Sequence, residues 1–220
     1  MSTRAESTLA ERKRQLVADE LTEAALQLLA IRGFDAVTVD EIVDSAGVSK
    51  RTFFRYFRSK EDVVVQFLAG MGDDMRTALV GRPADETPSE ALLHTVRVPV
   101  TTCAADSERA LRVVRLILRT PALLARFLER QDRWRDDLAA ELARRTGRDP
   151  VADLYPALAA GAALTAFHVV LQRWSAGDGA QDPVSLLDEA FAVVAPTLDL
   201  ASPAPAHRSR TGARRPSVEP

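Results

Sequence analysis

Apolar residues recur along the chain at helical spacing, with no strand-like alternation. From Val17 they fall at Leu21, Ala24, Leu28 and Ile31, steps of four, three, four and three that lay one stripe along a helix. Gly33 follows where a left-handed residue can end that helix, so a first element is expected over 9–32. Thr38-Val-Asp-Glu41 reads as a capping box, a hydroxyl capping the helix while the carboxylate three residues on reaches back. Val39, Ile42, Val43 and Ala46 then share a face until Gly47 interrupts. Ser49 can cap a short helix over 50–57, and Ser59-Lys-Glu-Asp62 opens a longer one toward Gly81.

The second half repeats this start logic. Thr87-Pro88, Thr120-Pro121, Asp149-Pro150 and Asp182-Pro183 each join a capping side chain to a proline whose missing N–H costs nothing in a first turn. Helices are expected near 89–105, 107–119, 121–146, 151–176 and 183–198, with kinks or early breaks at Pro99 and Pro156. The expected fold class is all-α. Residues 1–8, and a tail over 200–220 rich in Ala, Pro, Ser and Arg, are expected to be disordered. The tail arginines Arg208, Arg210, Arg214 and Arg215 could add weak attraction to DNA, and an inert tail is the simpler expectation.

Composition narrows the chemistry. A single cysteine, Cys103, excludes an internal disulfide framework or thiolate cluster, and three scattered histidines argue against a histidine metal site. No uninterrupted apolar run approaches the ~18 residues of a membrane span, and the polar, acid-containing N-terminus is unlike a targeting peptide. The expectation is a soluble cytoplasmic protein with no cofactor. An enzyme would need a nucleophile with its base, a metal set or a phosphate loop, and the sequence offers none; no catalytic residue is assigned. Net charge is only −2, so the distribution of charge matters more than its sum.

That distribution is most uneven in Val48–Lys60, "VSKRTFFRYFRSK". It holds five cations, Lys50, Arg51, Arg55, Arg58 and Lys60, four aromatics and no acid. On a helix, Phe53, Phe54 and Phe57 fall within an arc of about 100°, while Arg51, Arg55 and Arg58 form a separate stripe extended by Thr52 and Tyr56. The aromatics are expected to anchor the helix and the cations to project from it. Two short helices around Ala46-Gly47-Val48-Ser49 make a helix-turn-helix, whose second helix enters the DNA major groove. Arginine can fork onto guanine O6 and N7, worth about 1–3 kcal/mol of base discrimination. A basic helix face in an arginine-rich chain is usually only solvated; here the two-helix spacing, the glycine turn and the acid-free face coincide.

Residues 12–68 resemble the N-terminal DNA-binding domain of the TetR family of bacterial transcriptional regulators, through "AALQLLAIRGFDAVTVDEIVDSAGVS" and "TFFRYFRSKEDVV". The resemblance implies a homodimer that binds a palindromic operator through a helix-turn-helix domain over 9–58. A larger helical domain over 59–199 would bind an effector and form the dimer interface. It also implies phosphate contacts from Thr38, Tyr56 and Lys60 and groove contacts from Ser49, Lys50, Arg51 and Thr52; Arg55, on the same exposed stripe, is a further candidate DNA contact. Many family members carry tyrosine where this chain has Phe54, which leaves Phe54 a packing role. Arg51 stands where relatives often have glycine, so the operator sequence should differ.

"VVRLILRTPALLARFLERQDRW" and "AALTAFHVVLQRW" resemble actinobacterial regulators related to the mycofactocin regulator, a subgroup associated with acyl-CoA-like ligands. Arginine forks would hold phosphates and an apolar tunnel the acyl chain. On that basis Arg115 and Arg119, with Phe67, Met71, Met75, Leu116, Phe127, Phe167 and Trp174, are candidate ligand residues, although each apolar one would serve equally as core. The expected function is a ligand-responsive repressor; an activator, or a regulator without ligand, is the alternative.

Overall fold

Most of the helices begin where a side chain can replace a missing backbone partner. Glu41 N–H donates to Thr38 Oγ1 at 3.3 Å while Thr38 N–H donates to the Glu41 carboxylate at 2.8 Å. Thr52 N–H donates to Ser49 Oγ at 3.1 Å, and Thr87 with Glu90 repeats the reciprocal box. The structure, a computed structural model, describes residues 9–199, with side chains from residue 14. The expected disordered segments 1–8 and 200–220, with the tail arginines, lie outside the described residues.

The elements are α1 (Leu9–Arg32), α2 (Val39–Ser45), α3 (Lys50–Tyr56), α4 (Lys60–Val80), α5 (Pro88–Ala105), α6 (Ser107–Arg119), α7 (Pro121–Thr146), α8 (Tyr155–Ala176) and α9 (Pro183–Asp199). No strand occurs among the described residues. Helices α1–α3 pack together around Leu21, Ile42, Phe53 and Phe57, and α4 runs from them to pack on α5 and α7. Helices α8 and α9 lie side by side on the far side of α5 and α7.

Pro156 neither kinks nor breaks a helix, and Pro99 breaks none. The helix expected from residue 151 starts at Tyr155, which puts Pro156 in the first turn, where its ring meets no preceding helical carbonyl. Asp149 caps a separate turn instead, accepting from Val151 and Ala152 N–H at 2.8 and 3.1 Å. Helix α5 passes through Pro99 as one helix. Its packing on α9 and α4 outweighs the one backbone bond that proline removes.

Helix α8 also differs from expectation. Its mean hydropathy of 1.3 makes it long and apolar enough to cross a membrane by length and composition, although Gln172 and Arg173 interrupt the run. Half of that span is buried in the fold. Leu158 and Val169 on α8, and Val193 on α9, remain exposed at 68%, 51% and 77%.

Helix α4 meets α7 closely at one point. A Cβ added to Gly72 would lie 2.2 Å from Trp134 Nε1, and Trp134 itself is buried edge-to-face against Phe127. Gly72→Ala should therefore lower stability by about 1–3 kcal/mol, as overpacking does. Gly70→Ala, two residues away with nothing within 4 Å of the new Cβ, should leave stability unchanged or raise it by up to about 1 kcal/mol. Urea unfolding of the two variants checks the contrast.

Candidate functional site

The α2–α3 turn is built from backbone geometry. Gly47 adopts φ +64°, a conformation that side chains with a Cβ resist, and Val48 N–H then reaches back to Val43 O at 3.0 Å. Ser49 starts α3 at once. Phe53 and Phe57 are 0% and 1% exposed and anchor α3 in the core with rings 5.5 Å apart. Phe54 does not join them. It touches Phe53 edge-on at 5.3 Å but is 54% exposed, so its expected packing role is corrected: one residue on from Phe53 is about 100° round the helix, past the core that α3 meets.

The outer face of α3 carries the expected polar residues. Arg51 is exposed, with no hydrogen-bond or ion-pair partner among the described residues. Lys50 pairs with Asp40 of α2 at 2.7 Å. Thr52 Oγ1 lies 3.0 Å from Ser49 Oγ. Arg55 donates to Tyr56 Oη at 3.2 Å, with its guanidinium 4.9 Å from that ring's centroid. Thr38 is engaged as the α2 cap, and the Thr38 N–H and hydroxyl, with Arg32, hold the Glu41 carboxyl below its usual range.

Lys60, expected to meet a phosphate, is engaged within the protein itself. Its ammonium donates to Phe34 O at 2.6 Å and Val37 O at 3.0 Å and lies 4.4 Å from the Phe34 ring centroid. Two of its three N–H groups thus join the start of α4 to the α1–α2 turn. Sequence could not reveal this, because the carbonyls lie 23 and 26 residues away.

A cavity of about 660 Å³ lies between the α1–α3 unit and the remaining helices, reached by residues of α1, α4, α5, α6, α7 and α8. Of the residues proposed from sequence, Phe67, Met71, Phe127 and Phe167 line it. Met75, Leu116 and Trp174 do not; they are buried in the core. Arg115 is turned away, forking onto Ser175 O at 3.2 and 2.9 Å and pairing with Asp178. Arg119 is exposed at the end of α6, off the cavity. Sequence reasoning missed other residues that line it: Val113 and Ile117 on α6, and Arg109. Arg112, Arg115 and Arg119 share one face of α6 and Leu111, Val114 and Leu118 another, a pattern that does not say which side meets a void. Burial pushes the Cys103 thiol on the cavity wall up to about 11, so it stays protonated at neutral pH. A smaller recess of about 270 Å³ lies where the α3–α4 turn meets α7, lined by Arg58, Arg126, Arg130 and Arg133 together with Glu61, Asp62 and Glu129.

A fixed two-helix turn, a rigidly anchored basic helix and an apolar cavity against the same unit define a helix-turn-helix DNA-binding regulator. The chain belongs to the TetR family of bacterial regulatory proteins: residues 21–67 match that family's N-terminal domain, and residues 86–199 match the MftR C-terminal domain. It is 31% identical to the HTH-type transcriptional regulator TcmR of Streptomyces glaucescens over 76% of each chain. It is 29% identical to MftR of Mycobacterium tuberculosis, described as a mycofactocin biosynthesis transcriptional regulator, over 86% of this chain and 94% of that one. These relatives are transcriptional regulators, not enzymes. The fold is shared with FadR from Bacillus subtilis, solved in complex with stearoyl-CoA, at a TM-score of 0.61 and 20% identity, covering 80% of this chain and 96% of that one.

Lys60→Met keeps the length of the side chain and removes the ammonium. It should lower the thermal stability of the DNA-free protein, at a cost of about 1–3 kcal/mol for the carbonyls left without a partner. An unchanged melting temperature would return Lys60 to a role on DNA alone.

Proposed function

We propose that the chain is a ligand-responsive repressor that binds a palindromic operator as a homodimer and is released by a small, largely apolar effector. Residues 9–58 read DNA, and 59–199 bind effector and pair the two copies. Ser49, Lys50, Arg51, Thr52 and Arg55 face the groove, with Thr38 and Tyr56 at phosphates and Lys60 contributing mainly through its hold on the turn. A DNA reader of this kind works in the cytoplasm. The observation that carries the switch is the position of the cavity. Its wall includes α1 of the reading unit and α4, the helix that leads out of the reader, so an occupant touches both parts of the machine. Effector and operator then oppose each other by one coupling energy, typically about 1–3 kcal/mol.

The exposed apolar residues of α8 and α9 support pairing. Leu158, Val169 and Val193 stand on helices already buried on their other faces, and a two-fold four-helix bundle would cover them. Such an axis sets two reading helices about 34 Å apart, one turn of DNA.

An acyl-CoA is the second reading of the effector. FadR, of the same fold, is known in complex with stearoyl-CoA, and the arginine-lined recess near α7 offers cations for phosphates. Against it, Arg126 and Arg133 are already paired with Glu129.

Titrating apolar compounds and acyl-CoAs into the operator complex, with sedimentation expected to count two chains per duplex, tests the switch. At least one compound should lower operator affinity by roughly five- to 150-fold; no response from any compound would leave a ligand-independent DNA binder. Arg51→Ala should cost about 1–3 kcal/mol of discrimination between operator and random duplex with stability unchanged. A uniform loss on every sequence would instead make Arg51 a phosphate contact.

A further inference from the structure

We propose that the cavity takes an amphiphilic cation: an apolar body carrying an amine, ammonium or guanidinium, with the charge at the α1–α6 mouth and the body on the aromatic floor. This rests on the reading of the cavity as the effector site. Four acids line it, Asp19, Glu23, Asp74 and Asp106, and one base, Arg109. The acids come from α1, α4 and the cap of α6, so the fold brings them together rather than one helix simply displaying them.

Arg109 shows what the mouth accepts, because its guanidinium pairs with Glu23 across α6 and α1. Asp106 is occupied with capping α6. Asp19 holds only the Gln15 amide, at 2.8 Å, and Asp74 has no partner among the described residues. Like charges at the edge of a low-dielectric wall raise the local concentration of cations and repel anions. Deeper in, Phe67, Phe127 and Phe167 supply apolar surface for the body of the ligand. Arg115 and Arg119, the side chains that could have neutralised a phosphate, lie off the cavity.

The same geometry supplies a trigger. A ligand cation at the mouth competes with Arg109 for Glu23, the ion pair that ties α6 to α1 of the reading unit. Occupancy therefore loosens the join between the two parts, and operator affinity falls.

The test uses the full chain at neutral pH and probes of one tail with different heads: decyltrimethylammonium, decanol, decyl sulfate and decanoyl-CoA, all below micellar concentration. Calorimetry should show the ammonium binding about tenfold or more tighter than decanol, and decanol tighter than both anions. The ammonium should also release the operator. Asp19→Asn combined with Asp74→Asn changes two exposed side chains, so the variant should fold normally, keep its affinity for decanol and lose the preference for the ammonium. Tighter binding of decyl sulfate or decanoyl-CoA, or a preference that survives the double substitution, overturns the cationic class and leaves the effector cavity standing. Failure of every probe to bind overturns the cavity reading itself, and this inference with it.

Discussion

The structure depends on how α4 is held. Its first residue, Lys60, places an ammonium on the carbonyls of Phe34 and Val37, in the turn between α1 and α2. Past its other end, Arg145 of α7 donates to Arg82 O at 2.9 Å and Pro83 O at 2.7 Å. Between them, Trp134 rests on Gly72. Turn carbonyls have no helical partner of their own, and buried polar groups left unpaired are costly. Cations with several donors satisfy them and fix the helix at the same time. A rod fixed to the reading unit at one end and to α7 at the other cannot shift without moving one of them.

Charge is divided just as sharply. The reading helix and its flanks hold five cations and no acid along the chain, whereas the cavity lining holds four acids and one base. The overall charge of −2 conceals both. Separation matters because screening confines such fields to about 8–10 Å at ordinary ionic strength; the DNA-facing surface and the mouth can prefer opposite charges without cancelling. The arginines of α6 show how local the outcome is. Arg109 and Arg115 lie on one helix, yet the first guards the cavity with Glu23 and the second closes the end of α8 through Ser175 O and Asp178.

Much of the framework was legible because it is encoded by neighbours. The capping boxes at Thr38 and Thr87, the serine caps at 49 and 59 and the glycine stops at 33 and 47 act over three or four residues, and each sits where its spacing implied. Pro156 marked a boundary but not which side of it the helix would take; that depended on the turn organised by Asp149 and Asp153. Phe53 and Phe57 were legible as anchors, but Phe54 was not legible as exposed, since an arc of about 100° is wider than the core that α3 meets.

The sequence by itself determined the all-α class, the helix boundaries set by caps and glycines, the helix-turn-helix and the acid-free basic stretch over 48–60, because each follows from interactions within a few residues. Only the tertiary structure decided that Lys60 fastens a distant turn, that Arg115 faces away from the cavity while Arg109 lines it, and that acids from three elements line one cavity. Those outcomes depend on how helices far apart in the chain rotate and pack, and helical periodicity gives each helix a face without saying what that face will meet.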